Sequence, residues 1–321
     1  MTDPLPAETR WWHPVCAEGD LGARPSAHRL WGRELVVWRG GDGEVHAFDD
    51  RCPHRGAKLS LGRVVGDRLQ CAYHGWCFDR AGRCVQVPAT PDFVPPASMS
   101  ATAWQARRAH GLVWVAMQPR DDAPPTLDGL PARRLVCGPY DVATSAPRVV
   151  ENFLDTSHFG FVHAGLLGDP AHTAVPPYVV AQTADGRPMV PHYRAWQPRA
   201  TAAAAEGAWV DYRYEVLAPF AALLHKQPEG GGAGDAYALF VGPLGEEHSR
   251  VWFLLCSADE ATPDAELRAF QDAVFAQDRP VLESQRPRRL PLEGERHGAA
   301  DRLSVAYRRW LMRAGVGFGA A

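Results

Sequence analysis

Two short arms, Cys52-Pro53-His54 and Cys71-Ala72-Tyr73-His74, constrain this chain more than anything else in it. Each carries one thiol and one imidazole, and sixteen residues separate His54 from Cys71. Such a set has a use only if the fold brings the two arms together. Pro and Gly flank them, in Arg51-Cys52-Pro53-His54-Arg55-Gly56 and Cys71-Ala72-Tyr73-His74-Gly75-Trp76. These residues suit tight loops whose backbone N–H groups can point at sulfur. A tetrahedral zinc site is one use for two Cys and two His. Zinc spacings, however, usually pair Cys with Cys and His with His. A disulfide is another use, and it leaves both His without a role.

One group accounts for all four side chains: a [2Fe–2S] cluster with two Cys on one iron and two His on the other, a Rieske centre. Neutral imidazole in place of thiolate raises the reduction potential, and the cluster relays single electrons. A receiver for those electrons is expected elsewhere. In Glu151-Asn152-Phe153-Leu154-Asp155-Thr156-Ser157-His158-Phe159-Gly160-Phe161-Val162-His163 two His and a carboxylate share a helical-looking stretch. Asn152, Asp155 and His158 recur every third residue and so share one side of a helix. His163 lies about 140° from His158 at the helical 100° per residue, so an undistorted helix would not aim both at one ion. A π-bulge or a break near Gly160 would repair this. The alternative is one exposed His and one satisfied core His.

Two His and one carboxylate make the facial triad of non-haem Fe(II) oxygenases. A third ligand is sought in the helix that opens at Thr262-Pro263-Asp264-Ala265-Glu266, with Thr as N-cap, Pro at N1 and acids in the first turn. Leu267, Phe270, Val274 and Val281 mark its apolar stripe. Asp278 falls about 40° from Val274, inside the stripe, whereas Asp272 lies about 160° away. A carboxylate on a buried face needs a cation or a metal, so Asp278 is either the third ligand or half of a buried salt bridge with an Arg. Pro280 should kink the helix beside it.

Taken together, Cys-x-His…Cys-x-x-His followed by Asn-x-x-Asp-x-x-His-x4-His resembles the α subunit of the Rieske non-haem iron oxygenases, over nearly the whole chain. Several segments resemble the short monooxygenase branch of that family: 151–158, Val162-His163-Ala164-Gly165, Gln277-Asp278-Arg279-Pro280…Glu283-Ser284-Gln285 and Asp301-Arg302-Leu303-Ser304…Tyr307-Arg308-Arg309-Trp310-Leu311. Vanillate O-demethylase, dicamba monooxygenase, toluenesulfonate methyl-monooxygenase and N-demethylases belong to that branch. The resemblance implies that Cys52, His54, Cys71 and His74 hold the cluster. It implies that His158, His163 and Asp278 hold mononuclear Fe(II), that Asp155 bridges a Rieske His and an iron His, and that Asn152 lies near the iron. It implies an α+β architecture, with an all-β Rieske domain and then a helix-grip domain, an antiparallel sheet around a long helix. It further implies O2, electrons from an NAD(P)H-dependent flavin/iron–sulfur reductase or a ferredoxin, a small-molecule substrate and a homotrimer. The activity implied is hydroxylation or oxidative demethylation of an aromatic or heterocyclic compound. A ring-dihydroxylating dioxygenase shares every ligand, and a Rieske electron carrier shares only the cluster. The N-terminus and the tail after Trp310 are short for the family, which would alter a subunit interface.

Composition sets bounds on this reading. At 321 residues, two domains are expected. They are placed at 10–118 for the Rieske domain and 136–321 for the catalytic domain, with the Pro- and Asp-rich 119–135 as linker. A net charge of −3 asks for no nucleic acid. No basic amphipathic run, signal peptide or bilayer-length apolar segment asks for a membrane. Cys16, Cys77, Cys84, Cys137 and Cys256 read as buried thiols of a cytoplasmic protein rather than a disulfide scaffold. Residues 34–48 and 111–116 read as a hairpin and a closing strand. Segments 136–142, 209–218, 236–241 and 250–257 read as strands, between helical segments 150–163 and 263–286. Glu229 to Gly234 reads as a flexible turn, and Ala202 to Ala205 as a loop or helical turn. Trp196, Tyr212, Tyr214, Phe220, His225, Tyr237 and Phe240 are candidate pocket residues, each taken alone better suited to a core than to a pocket.

Overall fold

The computed structural model describes residues 6–198, 207–228 and 234–321. The glycine-rich run from Glu229 to Ala233 and the alanine patch 202–205 lie outside the described residues. The chain divides into two compact units. One spans Thr9–Pro124; the other spans Pro125–Ala321 and takes in Pro6–Glu8.

The first unit is built from strands. They are β1 (His13–Ala17), β2 (Ser26–Leu30), β3 (Arg33–Arg39), β4 (Val45–Asp49), β5 (Arg63–Val65), β6 (Arg68–Gln70), β7 (Cys77–Phe78), β8 (Cys84–Gln86), β9 (Ala103–Ala109) and β10 (Leu112–Ala116). Six form one sheet in the order β1-β10-β9-β4-β3-β2, and the short β5-β6-β7-β8 form a second. The hairpin read at 34–48 is β3–β4, in antiparallel register with Leu35 opposite Asp49 and Trp38 opposite His46. The closing strand is β10, whose five residues are all buried. One apolar core of this unit contains Val36, Trp38, Phe48, Leu59, Leu69, Phe78 and the two motif cysteines Cys52 and Cys71. The arms are therefore anchored by packing at their sulfur ends. Burying large aromatic and aliphatic side chains contributes about 1.5–3 kcal/mol each, which holds the loop bases still.

In the second unit, β11 (Arg133–Val142), β12 (Ala181–Gln182), β13 (Pro188–Gln197), β14 (Ala208–Ala218), β15 (Ala221–Pro228), β16 (Asp235–Gly245) and β17 (His248–Ser257) form one antiparallel sheet. Its order is β11-β17-β16-β15-β14-β13-β12. Strands β13 and β15 were not expected. Pro188, Pro191, His192 and Arg194 interrupt the alternation of β13, and β15 opens on two alanines. Tertiary pairing decides both. Among the described residues four α-helices complete the unit: α1 (Ala146–Leu154), α2 (Phe159–Val162), α3 (Asp264–Ser284) and α4 (Arg302–Ala314). α1 packs on β15 and β16, α3 on β11, and α4 on β13.

Two helical expectations are corrected. The segment 150–163 is not one helix broken near Gly160. It stops at Leu154, and Asp155–His158 intervene before the four residues of α2. Asp155 N–H still reaches the Glu151 and Asn152 carbonyls, but its side chain bonds Ser157 N–H and Oγ. That competing turn ends the helix. Helix α3 starts one residue late, with Pro263 rather than Thr262 at the N-cap; the Thr262 hydroxyl donates to Asp259 instead. Its buried face carries Leu267, Gln271, Val274, Phe275, Asp278 and Leu282. Val281 is 42% exposed and lies off the stripe.

Candidate metal centres

The two arms of the first unit are loops of similar build. Cys52 N–H bonds the Ala57 carbonyl and Gly56 N–H bonds the Cys52 carbonyl; Cys71 N–H bonds the Trp76 carbonyl and Gly75 N–H bonds the Cys71 carbonyl. Gly56 and Gly75 both sit in the left-handed region, at φ +71° and +72°, which glycine adopts without a Cβ penalty. The thiols of Cys52 and Cys71 are buried, while His54 is half-buried and His74 exposed. The two imidazoles meet at 4.6 Å between centroids, and His54 stacks flat on Trp76 at 4.4 Å. Burial pushes the Cys52 thiol up to about 11, with Cys71 adding to the rise against the N–H groups of His54 and Arg55, which point at its sulfur. A thiol in that state ionises only when a metal supplies the charge. His54 Nδ1 is buried and has no hydrogen-bond partner. Paired thiols below, paired imidazoles above and an orphaned ring nitrogen fit a cluster with mixed Cys and His ligands.

In the second unit the structure brings together His158, His163 and Asp278, whose ligating atoms all lie within 4.8 Å of one another. His158 Nε2 is 3.5 Å and His163 Nε2 3.1 Å from Asp278 Oδ1. The far nitrogens are tied back. His163 Nδ1 donates to Gln277 Oε1 at 2.9 Å and His158 Nδ1 to Asp155 Oδ2 at 3.3 Å. Fixing Nδ1–H in this way leaves both Nε2 lone pairs turned toward Asp278, the usual outer arrangement of metal-bound His. Asn152 Nδ2 donates to Asp278 Oδ1 at 3.3 Å. No Arg joins Asp278 among the described residues, so its partners are the two His and Asn152.

The 140° problem is solved by length. His158 and His163 are the N-cap and C-cap of a helix of four residues; His158 keeps a helical backbone, but His163 leaves it at φ −106° and ψ 28°, which frees its ring from the helical direction. The chain is then pinned, because the N–H groups of Leu166, Leu167 and Gly168 all converge on the His163 carbonyl. A Cβ at Gly168 would fall on the Phe159 carbonyl, so this close turn requires glycine.

Electrostatics agree with a cation site. Burial alone would raise the Asp155 carboxyl, but His158 and Ser157 more than reverse it and hold it below its ordinary value. Burial likewise pulls His163 down, and Asp278 with Gln277 overrides that and raises it. Lone pairs that hold a proton this firmly suit a metal ion in its place. The donor set, two imidazoles and one carboxylate on a single centre, is that of a non-haem iron triad.

The triad borders a mostly apolar cavity. Of the candidate pocket residues, Tyr212, Tyr214 and Tyr237 line it. Phe220 and Phe240 are fully buried core, His225 faces an outer groove and Trp196 a separate hollow. Strand alternation makes the division, since the three tyrosines share one sheet face. Gln277 and the cavity residues Lys226 and Gln271 escaped the sequence reading. Gln277 carried a signal, as the neighbour of Asp278; a lysine in a strand reads as solvent-facing and carried none.

Known proteins place the chain. Residues 11–100 match the Rieske [2Fe-2S] domain, and residues 142–316 match the vanillate O-demethylase oxygenase C-terminal domain. Methylxanthine N1-demethylase NdmA from Pseudomonas putida is 36% identical over 314 residues, covering 94% of this chain and 87% of that protein. The structure of NdmA with caffeine superposes with a TM-score of 0.86 at 31% identity, over 95% of this chain and 90% of that one. Dicamba monooxygenase bound to dicamba shares the fold, with a TM-score of 0.74 at 22% identity over 97% and 98% of the two chains. With a Rieske [2Fe-2S] domain followed by an oxygenase domain of the vanillate O-demethylase type, the chain belongs to the Rieske oxygenases, as an oxidoreductase of their monooxygenase and demethylase branch.

Proposed function

We propose that this chain is the terminal oxygenase component of a Rieske monooxygenase that removes a methyl group from nitrogen or oxygen of an aromatic or heterocyclic compound. The carrying observation is the convergence of His158, His163 and Asp278 on one point at the wall of an apolar cavity. Two protein units serve it, which we assign to 10–118 for the cluster and 136–321 for the oxygenase, joined by 119–135. Cys52, His54, Cys71 and His74 would hold the [2Fe–2S] cluster, and His158, His163 and Asp278 the Fe(II). Together the metals supply single-electron delivery and the reductive use of O2.

The chain's own residues supply the rest. Asp155 and Gln277 hold the two imidazoles by their Nδ1–H groups. Asn152 steadies Asp278. The aromatic walls exclude water and orient the substrate methyl. Hydroxylation of an N- or O-methyl carbon gives a hemiaminal or hemiacetal, which collapses to the demethylated compound and formaldehyde. Each turnover consumes one O2, two electrons and two protons, and releases one water. A reductase drawing on NAD(P)H supplies the electrons. A homotrimer brings the cluster of one protomer to the iron of the next, with Asp155 at that junction. Within the described residues no helix is long and apolar enough to cross a membrane.

The test incubates the protein, a compatible reductase, NADH and O2 with methoxy-aryl, N-methyl and methyl-aryl compounds, following product mass and formaldehyde together. Loss of methyl with stoichiometric formaldehyde is expected. A cis-dihydrodiol carrying both atoms of O2 would replace this reading with a dioxygenase.

A further inference from the structure

The cavity beside His158, His163 and Asp278 is walled largely by aromatic and aliphatic side chains, and Lys226 stands apart among them. It is 3% exposed. It lies on β15 two residues after Leu224, which lines the same cavity, and alternation gives the two one face. Across the sheet Lys226 pairs with Tyr212 of β14 and with Asp235 of β16. Tyr212 and Tyr237 wall the cavity beside it. On its other side Lys226 borders the outer groove of His225 and Gln227. It is therefore the partition between an apolar chamber and the outside.

An ammonium in such a place is costly unless something answers its charge. Burial pulls Lys226 down to about 8, with Asp235 drawing it back up. Asp235, its cross-strand neighbour, answers part of that charge from the outer-groove side, where its Oδ1 also accepts from Ser257 Oγ and Ala258 N–H. The phenols of Tyr212 and Tyr237 are raised by burial, so they stay neutral and add no charge. Among the described residues the other charged groups on the inner side are the triad itself, while the outer groove adds Asp211, Asp235 and Glu260 together with Arg133, Arg213, His192 and His225. A neutral guest leaves the ammonium facing aromatic walls; an anionic one balances it.

We propose that Lys226 is a specificity-determining residue, whose ammonium pairs with an anionic oxygen, a carboxylate or an ionised enol, on a planar aromatic or heteroaromatic substrate and so turns the substrate's methyl toward His158, His163 and Asp278. This rests on the demethylase reading above and narrows it to acids. A charge-assisted hydrogen bond is worth about 1.5–3 kcal/mol, or roughly 10- to 100-fold in affinity.

The test uses the metal-loaded protein without O2, so that binding is read apart from turnover. Two matched pairs serve as probes: 4-methoxybenzoate against 4-methoxybenzamide, and an N-methyluric acid against the corresponding N-methylxanthine. Calorimetry should show at least one anion binding about 10-fold or more tighter than its neutral partner. The pair that shows it tells carboxylate from enolate. At pH 8, in two buffers of different ionisation heat, binding of the anion should be accompanied by net proton uptake, because pairing favours the charged lysine. Lys226→Met, with unchanged iron content and melting temperature, should lose both the preference and the uptake. Should that variant misfold, the wild-type pairs and the proton uptake decide alone. Neutral partners binding as tightly as both anions would overturn the proposal, as would proton uptake that persists in Lys226→Met. Formaldehyde from the neutral compounds alone would sink the lysine assignment and leave the oxygenase standing. Tight anion binding with no oxidised product from any compound would do the reverse.

Discussion

Asp155 is half-buried, with its side chain 30% accessible. One carboxylate oxygen is spent on Ser157 and the other on His158, so it orients an imidazole while presenting an edge outward. Asp155→Asn should retain three irons per chain and a normal Rieske EPR spectrum, yet slow oxidation of the reduced cluster in a single turnover by about 10- to 100-fold or more. Near-normal transfer would remove it from the electron route. Gln277 is the control at this scale. It holds His163 from inside the protein, so Gln277→Leu should weaken iron retention about 10-fold, read by chelator competition, while leaving the cluster's spectrum unchanged. The ligands themselves were legible in the sequence because chemistry restricts them: few residue types bind iron, and their motifs are short. Their supports were not. Glutamine and lysine have many uses, and only the cavity reveals which one applies.

At the scale of elements, two ion-paired arginines tie α1 and α4 to the segment before α4. Arg308 donates to Glu151 at 2.5 and 2.7 Å and to Glu295 at 2.5 Å, and Arg148 donates to Glu295 at 2.8 Å. Both arginines are 3% exposed, so removing one charge strands the others. Arg308→Ala should cost about 3–5 kcal/mol in denaturant unfolding, a larger loss than a cavity alone explains if Arg308→Met costs as much. Glu295 fixes the sign of the acid limb. Burial would raise its carboxyl, but Arg148 and Arg308 hold it below its ordinary value. Its stabilisation is thus complete above an unfolded value of about 4.3 and is lost as pH falls through the lower folded value. Glu295→Gln should flatten the pH dependence of the unfolding midpoint below about pH 4.5 and lower the midpoint at neutrality. Periodicity located α3 and its buried Asp278, because 21 residues give a period time to declare itself. The α1–α2 break left no such trace, since an Asx-type turn at Asp155 resembles one more helical residue in the sequence.

For the whole molecule, the two ligand sets make a quantitative claim. Anaerobically purified protein should hold three irons per chain, and Cys52→Ser should abolish the Rieske EPR signal while the mononuclear iron remains. Zinc at the Cys/His site would contradict the assignment. Light scattering should give a closed homotrimer, because a head-to-tail ring leaves no unpaired interface; a fully active monomer would exclude it. The architecture was broadly readable, as antiparallel strands around a few helices. The strand inventory was incomplete where Pro, His and Arg fall within strands that only neighbouring strands hold in place.

The triad's three donors do not share one mechanical footing. Asp278 rides on a long helix packed along the sheet, whereas His158 and His163 are carried by a single turn, held by Asp155, Gln277 and the carbonyl at His163. Such a site resembles a hinge pin: one leaf is fixed, and the other is fastened only when the pin is in place. Chelating the iron should therefore accelerate amide hydrogen exchange across 155–168 while leaving α3 at its former rate. The metal would then be acting as a fold-completing element for one short stretch of chain as well as a reagent.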